Sequence, residues 1–172
     1  ALFLDTPEPR LDQSSTYRAI QELQIFMEYF PQSKFSTEAQ MMIFNLQDKL
    51  VEKEYLSAKL YYDLGTYTGN ASMNADGQIN GNNFLACITT AENILKDYPY
   101  TSMREDVSIL LLRAKYKLGV ESVLEKIEER MRETIDEYYA FKNDYPESQY
   151  MVEADQMLKK INRQTGGQVL ED

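Results

Sequence analysis

One short motif occurs three times in this chain, and it limits the fold more than any other feature. The motif is an aromatic residue, proline, any residue, serine or threonine, any residue, and a large apolar residue. Its copies are Phe30–Phe35, Tyr98–Met103 and Tyr145–Tyr150. Apolar or small residues precede each proline by 12, 11, 8, 5 and 1 positions, and an acidic residue follows it by seven. Such recurrence indicates a protein built from repeats.

Each copy of the motif predicts a helix, a tight turn and a second helix. The proline ends the first helix because the residue before it is pushed out of the α region. The hydroxyl two residues later can accept a hydrogen bond from a free amide at the next helix start, and the acidic residue suits the positive end of that helix. We therefore expect a structural role for Pro31, Ser33, Pro99, Thr101, Pro146 and Ser148. The apolar positions on both helices predict an αα-hairpin.

The spacing of the turns identifies the class of repeat. Pro31 and Pro99 are 68 residues apart, which is twice the 34-residue tetratricopeptide period. Gly65 lies near the middle, where the missing turn is expected. The predicted fold is all-α, a tetratricopeptide-like array of helical hairpins (an α-solenoid) with one inserted polar loop. Long helices are expected over 36–64, which has no proline or glycine, from near residue 104 to Gly119, and over 120–145.

The organisation of the chain follows from this pattern. Residues 1–12, with two prolines, predict an extended lead-in. Residues 13–163 predict a single repeat domain. The polar, glycine-rich stretch 68–83 predicts a loop inserted between repeat helices, and residues 164–172 predict a flexible tail.

Composition excludes several classes of function. The formal net charge is −10 with a pI near 4.6, which disfavours nucleic acid and direct binding to anionic lipid. The chain has no histidine and one cysteine, Cys87, so most hydrolase and zinc chemistries are excluded. We expect no catalytic residue and no cofactor, and interpret Cys87 as a core residue. No run of about 20 apolar residues and no signal peptide is visible.

The inserted loop contains the nearest approach to a metal site. Asn74 and Asp76 precede a glycine with the alternation of a calcium loop. Ser72 would be position one, and Asn83 stands where a bidentate glutamate is needed. We predict no metal site there and interpret the stretch as a solvated loop of turn residues; the alternative is a weak calcium site at Asn74 and Asp76.

A cluster of tyrosines marks the end of the long helix expected over 36–64. These rings either pack between helices or form a protein-binding face, where tyrosine gives a large contact area at low entropic cost. Our candidate protein-binding residues are Tyr55, Tyr61, Tyr62, Tyr67, Arg104 and Arg113.

The same region resembles the BamD outer-membrane assembly lipoproteins. In that family a leucine-rich helix leads into glutamate, alanine and a tyrosine pair, then a glycine and an aromatic residue. Here the matching residues are Glu54, Ala58, Tyr61, Tyr62, Gly65 and Tyr67, flanked by 29–35 and 96–101 in matching order. The resemblance covers about 13–118 and corresponds to the C-terminal part of the family's chain. It implies a fragment without the N-terminal repeats and the lipid-carrying cysteine.

The resemblance also implies a function. It predicts a non-catalytic adaptor on the periplasmic face of the outer membrane, held there only by the N-terminal lipid anchor. The implied partners are the periplasmic POTRA domains of an Omp85-type β-barrel insertase, other assembly lipoproteins and unfolded outer-membrane protein clients. One alternative is a generic periplasmic tetratricopeptide module of the Tol–Pal or cell-division coordinator type. Another is an enzyme or calcium-binding module that uses the inserted loop.

Overall fold

The chain folds into a row of helices. The computed structural model describes residues 5–67, 82–122 and 124–164, and these residues contain no strand. Their helices are α1 (Ser14–Tyr29), α2 (Ser36–Leu64), α3 (Asn83–Asp97), α4 (Arg104–Val120), α5 (Leu124–Asp144) and α6 (Met151–Gln164). Each helix packs against the next, and α4 also contacts α2 and α6. The predicted all-α, tetratricopeptide-like architecture is confirmed.

The three proline turns have the same hydrogen bonds. The amide of the serine or threonine donates to the carbonyl of the aromatic residue, at 3.0, 3.2 and 3.1 Å in chain order. Its hydroxyl accepts from the amide of Phe35, Met103 or Tyr150, at 3.3, 3.3 and 3.0 Å. Phe30 and Tyr98, before their prolines, have ψ angles of 55° and 65°, outside the α region. Each bonded amide belongs to the residue directly before the next helix.

The long helix α2 has the bounds that its lack of breakers predicts. It ends at Gly65, whose φ of 53° favours glycine, and a Cβ there would lie 3.0 Å from the Phe84 ring. One part of α2 packs with α1 and another with α3 and α4. The residues of α2 that pack with α1 are Ile43, Leu46 and Leu50. Those that pack with α3 and α4 are Val51 and Ala58. One helix therefore serves two successive packing units, as the sequence predicts.

The prediction for 120–145 is wrong at its start. Helix α5 begins at Leu124, because α4 continues to Val120 and a turn follows at residues 121–122. The hydroxyl of Ser122 donates to a carbonyl in the last turn of α4 and accepts from the guanidinium of Arg130. These two bonds hold the reversal between α4 and α5.

The predicted core positions are buried in two of the three copies. In the second and third copies the positions 12, 11, 8 and 5 residues before the proline are at most 9% exposed: Cys87, Ile88, Ala91, Ile94, Thr134, Ile135, Tyr138 and Phe141. Tyr98 and Tyr145, directly before their prolines, are partly buried. In the first copy Ala19 and Ile20 are buried, but Phe30 is 59% exposed. The prediction is wrong for Phe30, because within the described residues no helix covers this turn. Burial raises the pKa of Cys87 to about 12, which agrees with its interpretation as a core residue.

Candidate protein-binding surface

The tyrosines singled out from the sequence divide into two pairs. Tyr55 and Tyr62 are half-buried against the cluster that joins α2, α3 and α4, and the Tyr62 ring meets Phe84 edge-on at 5.8 Å between centroids. Burial is the main reason that the pKa of each of these two phenols is raised. Tyr61 and Tyr67 are 36% and 70% exposed. The first pair therefore belongs to the packing, and the second pair faces solvent.

Two leucines extend the exposed tyrosine pair into an apolar patch. Leu60 and Leu64 are 56% and 37% exposed. Leu60, Tyr61 and Leu64 lie in the last turns of α2, and Tyr67 follows three residues after the helix ends. We call Leu60, Tyr61, Leu64 and Tyr67 the α2 patch. Sequence reasoning missed the two leucines, although their spacing from Tyr61 was a usable signal.

Arg113 is engaged within the fold. Its Nε donates to Glu153 Oε1 at 2.8 Å, and its Nη2 donates to Glu153 Oε2 at 2.5 Å. Its guanidinium also lies over the Tyr150 ring, 5.2 Å from the centroid, and the Tyr150 hydroxyl donates to Asp106 Oδ1 at 2.8 Å. The bond from Arg113 holds the pKa of Glu153 below its ordinary value. These four residues fasten α6 to α4, and we call them the α4–α6 clamp.

Arg104 also makes internal contacts. Its Nη1 donates to the carbonyls of Leu95 and Pro99, at 3.3 and 3.5 Å. The side chain thereby bridges α3 and the turn that follows it. Of the six residues expected to bind protein, the structure exposes Tyr61 and Tyr67 most clearly, while the other four support the frame.

The turn hydroxyls connect neighbouring repeats through acidic residues that the sequence analysis did not single out. Thr101 and Ser102 donate to the two carboxylate oxygens of Asp48 in α2, each at 2.6 Å. Ser148 donates to Glu105 in α4, also at 2.6 Å. The hydroxyls of Thr101 and Ser148 thus accept within their own turns and donate to a helix of the preceding hairpin.

Lys115 links α4 to its two neighbouring helices, α3 and α5. It is 17% exposed and lies 2.7 Å from Glu137 in α5 and 3.3 Å from Glu92 in α3. Burial is the largest single influence and acts to lower its pKa, but the bonds and charges of both glutamates outweigh burial, so the pKa of Lys115 is raised. This cation could not be recognised in the sequence, because its partners lie on two other helices.

The weak calcium candidates Asn74 and Asp76 lie outside the described residues. Among the described residues no group of three or more histidine, cysteine, aspartate or glutamate side chains could hold a metal ion. None of the described helices combines the length and the apolar character that a membrane crossing needs.

Comparison with known proteins places this arrangement in a family. None of the curated proteins matches the chain. A family model described as YfiO, outer membrane lipoprotein, matches residues 3–130. That range contains the whole stretch of the sequence resemblance, including the tyrosine-pair helix, the first two proline turns and α4. The chain belongs to the YfiO outer membrane lipoprotein family, also called BamD.

Proposed function

We propose that this protein is a non-catalytic adaptor of the outer-membrane β-barrel assembly machinery. The observation that carries the proposal is the YfiO family match over residues 3–130. In this proposal the full-length protein is held by its lipid at the periplasmic face of the outer membrane. Stacked helical hairpins suit the role because they present long, fixed surfaces to other proteins.

The proposed contact with the insertase is the α2 patch, which docks on its periplasmic POTRA domains. An exposed cluster of two aromatic and two aliphatic side chains has the composition of an interface centre. The frame behind it is fixed, since Tyr62 is packed on Phe84 and α4 is fastened to α6 by Arg113 and Glu153. A surface held this firmly loses little conformational entropy on binding.

The test is cross-linking in cells followed by a binding measurement. A photo-cross-linking residue at position 61 or 67 of the full-length protein should capture an Omp85-type barrel, identified by mass spectrometry. The control position is 100, because Tyr100 is 85% exposed on the second proline turn. With purified POTRA domains, Tyr61→Ser combined with Leu64→Ser should weaken binding by roughly tenfold. Tyr100→Ser should leave it unchanged.

Two outcomes would count against the proposal. If positions 61 and 67 capture cell-division or Tol–Pal factors and no Omp85-type barrel, the generic periplasmic module becomes the better description. If the barrel is captured equally from position 100, the insertase binds elsewhere on the array.

A further inference from the structure

A groove lies between the first helical hairpin and the second proline turn. It has a volume of about 480 Å³, and its walls come from α1, α2 and residues 97–101. Its floor is apolar, because Ile43 is buried and Met27 and Tyr98 pack against the same core cluster of α1 and α2. We call this cavity the second-turn groove.

The second-turn groove lies inside the array and not at its end. In the second copy of the motif, Val107 and Leu110 are buried in the cluster that α2 joins, and Ala39 and Met42 are their equivalents in the first copy. An earlier repeat would therefore stack on the side of Met42. Phe44, which lines the groove, lies about 200° around α2 from Met42. Stacking of a further repeat would leave the groove open.

Aromatic rings and amides line the second-turn groove. Phe44 on α2 is 43% exposed, and Tyr100 on the turn is 85% exposed. Such rings can pack on the apolar stem of a long side chain or face a guanidinium. Three glutamine side chains also line the groove, and each amide can both donate to and accept from a peptide backbone: Gln24, Gln40 and Gln47.

The charged side chains of the groove are acidic. Among the described residues that line it there are two aspartates and no lysine or arginine. Asp48 accepts from the hydroxyls of Thr101 and Ser102, each at 2.6 Å. Asp97 is exposed, and no described side chain bonds to its carboxylate. Because Asp97 ends α3, the negative end of the helix dipole adds to its charge, and the groove favours a cation.

The rest of this chain does not supply that cation. Residues 1–4, 68–81, 123 and 165–172, which lie outside the described structure, contain no lysine or arginine. Arg104 donates to the carbonyls of Leu95 and Pro99 and does not line the groove. Charge complementarity therefore indicates an occupant from another molecule.

The length of the groove indicates an extended occupant of a few residues. Gln40, Phe44 and Gln47 lie on one stripe of α2. Residues 40–48 extend about 12 Å along the helix axis, and an extended chain covers that distance in about four residues. The glutamine amides can bond to its backbone along this length.

We propose that the second-turn groove binds a short, extended segment of a separate protein that carries an arginine. The arginine pairs with Asp97 and lies against the rings of Phe44 and Tyr100. Arginine suits the groove better than lysine, because its planar guanidinium can stack on a ring and bond to a carboxylate at the same time. The groove is distinct from the α2 patch, which lies at the other end of α2, and does not depend on the proposed contact with the insertase.

The probe is a heptapeptide with a central arginine among valine and threonine residues, which favour an extended chain. It is titrated into the intact, ¹⁵N-labelled chain and followed by NMR. We expect saturable shifts in the amide signals of residues 24–27, 40–48 and 97–101. Phe44→Ser should weaken binding by roughly tenfold, as for an aromatic anchor. Asp97→Asn should weaken it by roughly fivefold, as for a partly exposed ion pair.

Matched controls separate binding in the groove from attraction to an acidic surface. Asp136→Asn removes one exposed charge of α5, and Tyr139→Ser removes a half-exposed ring of the same helix. Neither variant should change binding. A peptide with citrulline in place of arginine keeps the shape of the side chain and loses its charge. It should bind the wild type as weakly as the arginine peptide binds Asp97→Asn, with no further loss when the two changes are combined.

Each other outcome overturns the proposal. Absence of saturable binding, or binding that Phe44→Ser and citrulline leave unchanged, shows that the groove does not accept such a segment. Equal shifts at the third turn, where Glu147 replaces Tyr100, show a general attraction to acidic turns. Self-association that Phe44→Ser abolishes makes a second copy the occupant, and weaker peptide binding by the full-length protein makes its N-terminal part the occupant. The Tyr61→Ser and Leu64→Ser variant should bind the peptide normally, so failure of the insertase contact is recorded separately.

Discussion

The second proline turn packs against α2 and the third packs against α4. The two turns have the same backbone hydrogen bonds, but the two interfaces bury different side chains. Where α2 covers the second turn, the buried positions are small or aliphatic, such as Ala91 and Ile94. Where α4 covers the third turn, the equivalent positions are Tyr138 and Phe141, and the α4–α6 clamp adds charged bonds. The comparison shows that the turn motif fixes the path of the chain and leaves the chemistry of the interface open.

The two interfaces should therefore respond differently to mutation. Small side chains in the second interface bring the helices into close contact, so its stability comes mainly from apolar burial, and Thr101 and Ser102 add hydrogen bonds to Asp48. The third interface relies on large rings and on hydrogen bonds between charged groups. Substitutions at equivalent positions can separate these contributions.

The largest effect is expected from Phe141→Ala, because the ring is only 2% exposed and its removal leaves a cavity. It should lower the free energy of unfolding by about 3–5 kcal/mol. The equivalent change in the second interface, Ile94→Ala, should cost about 2–3 kcal/mol. Urea unfolding followed by far-UV circular dichroism measures both. Tyr139→Ala, at a half-exposed neighbour, should stay within about 0.5 kcal/mol. A larger loss for Ile94→Ala would reverse the comparison.

A smaller effect is expected from Arg113→Met, which removes the paired cation of the α4–α6 clamp. The pair is partly exposed, so the loss at neutral pH should be about 1 kcal/mol. Because the pKa of Glu153 is lowered in the folded state from 4.5, the stabilisation is fully present above that value. It disappears as the pH falls through the lowered pKa. The measurement is the stability difference between wild type and variant at several pH values.

The control for this charge effect is Lys59→Met. Lys59 pairs with Asp63 at 3.7 Å, and both side chains are more than half exposed. Its removal should change stability by less than about 0.5 kcal/mol and with little pH dependence. A difference for Arg113→Met that persists unchanged at acid pH would show that packing on Tyr150, not the charge, holds the clamp.

The smallest effect is expected at the turn hydroxyls. A double-mutant cycle of Ser148→Ala and Glu105→Ala should give a coupling energy of about 0.5–1.5 kcal/mol. Thr101→Val should cost less, about 0.5 kcal/mol, because Ser102 still donates to Asp48. Ser33→Ala serves as the control, because none of the described helices covers its turn. Equal losses at Ser33 and Ser148 would show that the bond to the preceding repeat adds nothing.

Much of the fold was predictable from the sequence because its signals are local. The bounds of α2 follow from a stretch without breakers that ends at Gly65. The candidate site was less predictable. Tyr55 and Tyr62 differ from Tyr61 and Tyr67 in exposure, although all four belong to one short stretch. The difference depends on where Phe84 packs, and helical spacing on α2 cannot show the position of a residue on α3.

By itself the sequence determined the helical repeat, its turns and its family. Proline geometry, the hydroxyl bond within the turn and the helical spacing of apolar residues act over a few positions, so they can be recognised in the chain. Only the tertiary structure decided which surfaces are closed. Arg113 and Glu153 are 40 residues apart, and Lys115 joins α3 to α5, so these pairings exist only after the hairpins stack. The exposure of Phe30 and Phe35 at the first turn is likewise decided by tertiary packing, because a residue at a turn is buried only where another helix packs against it.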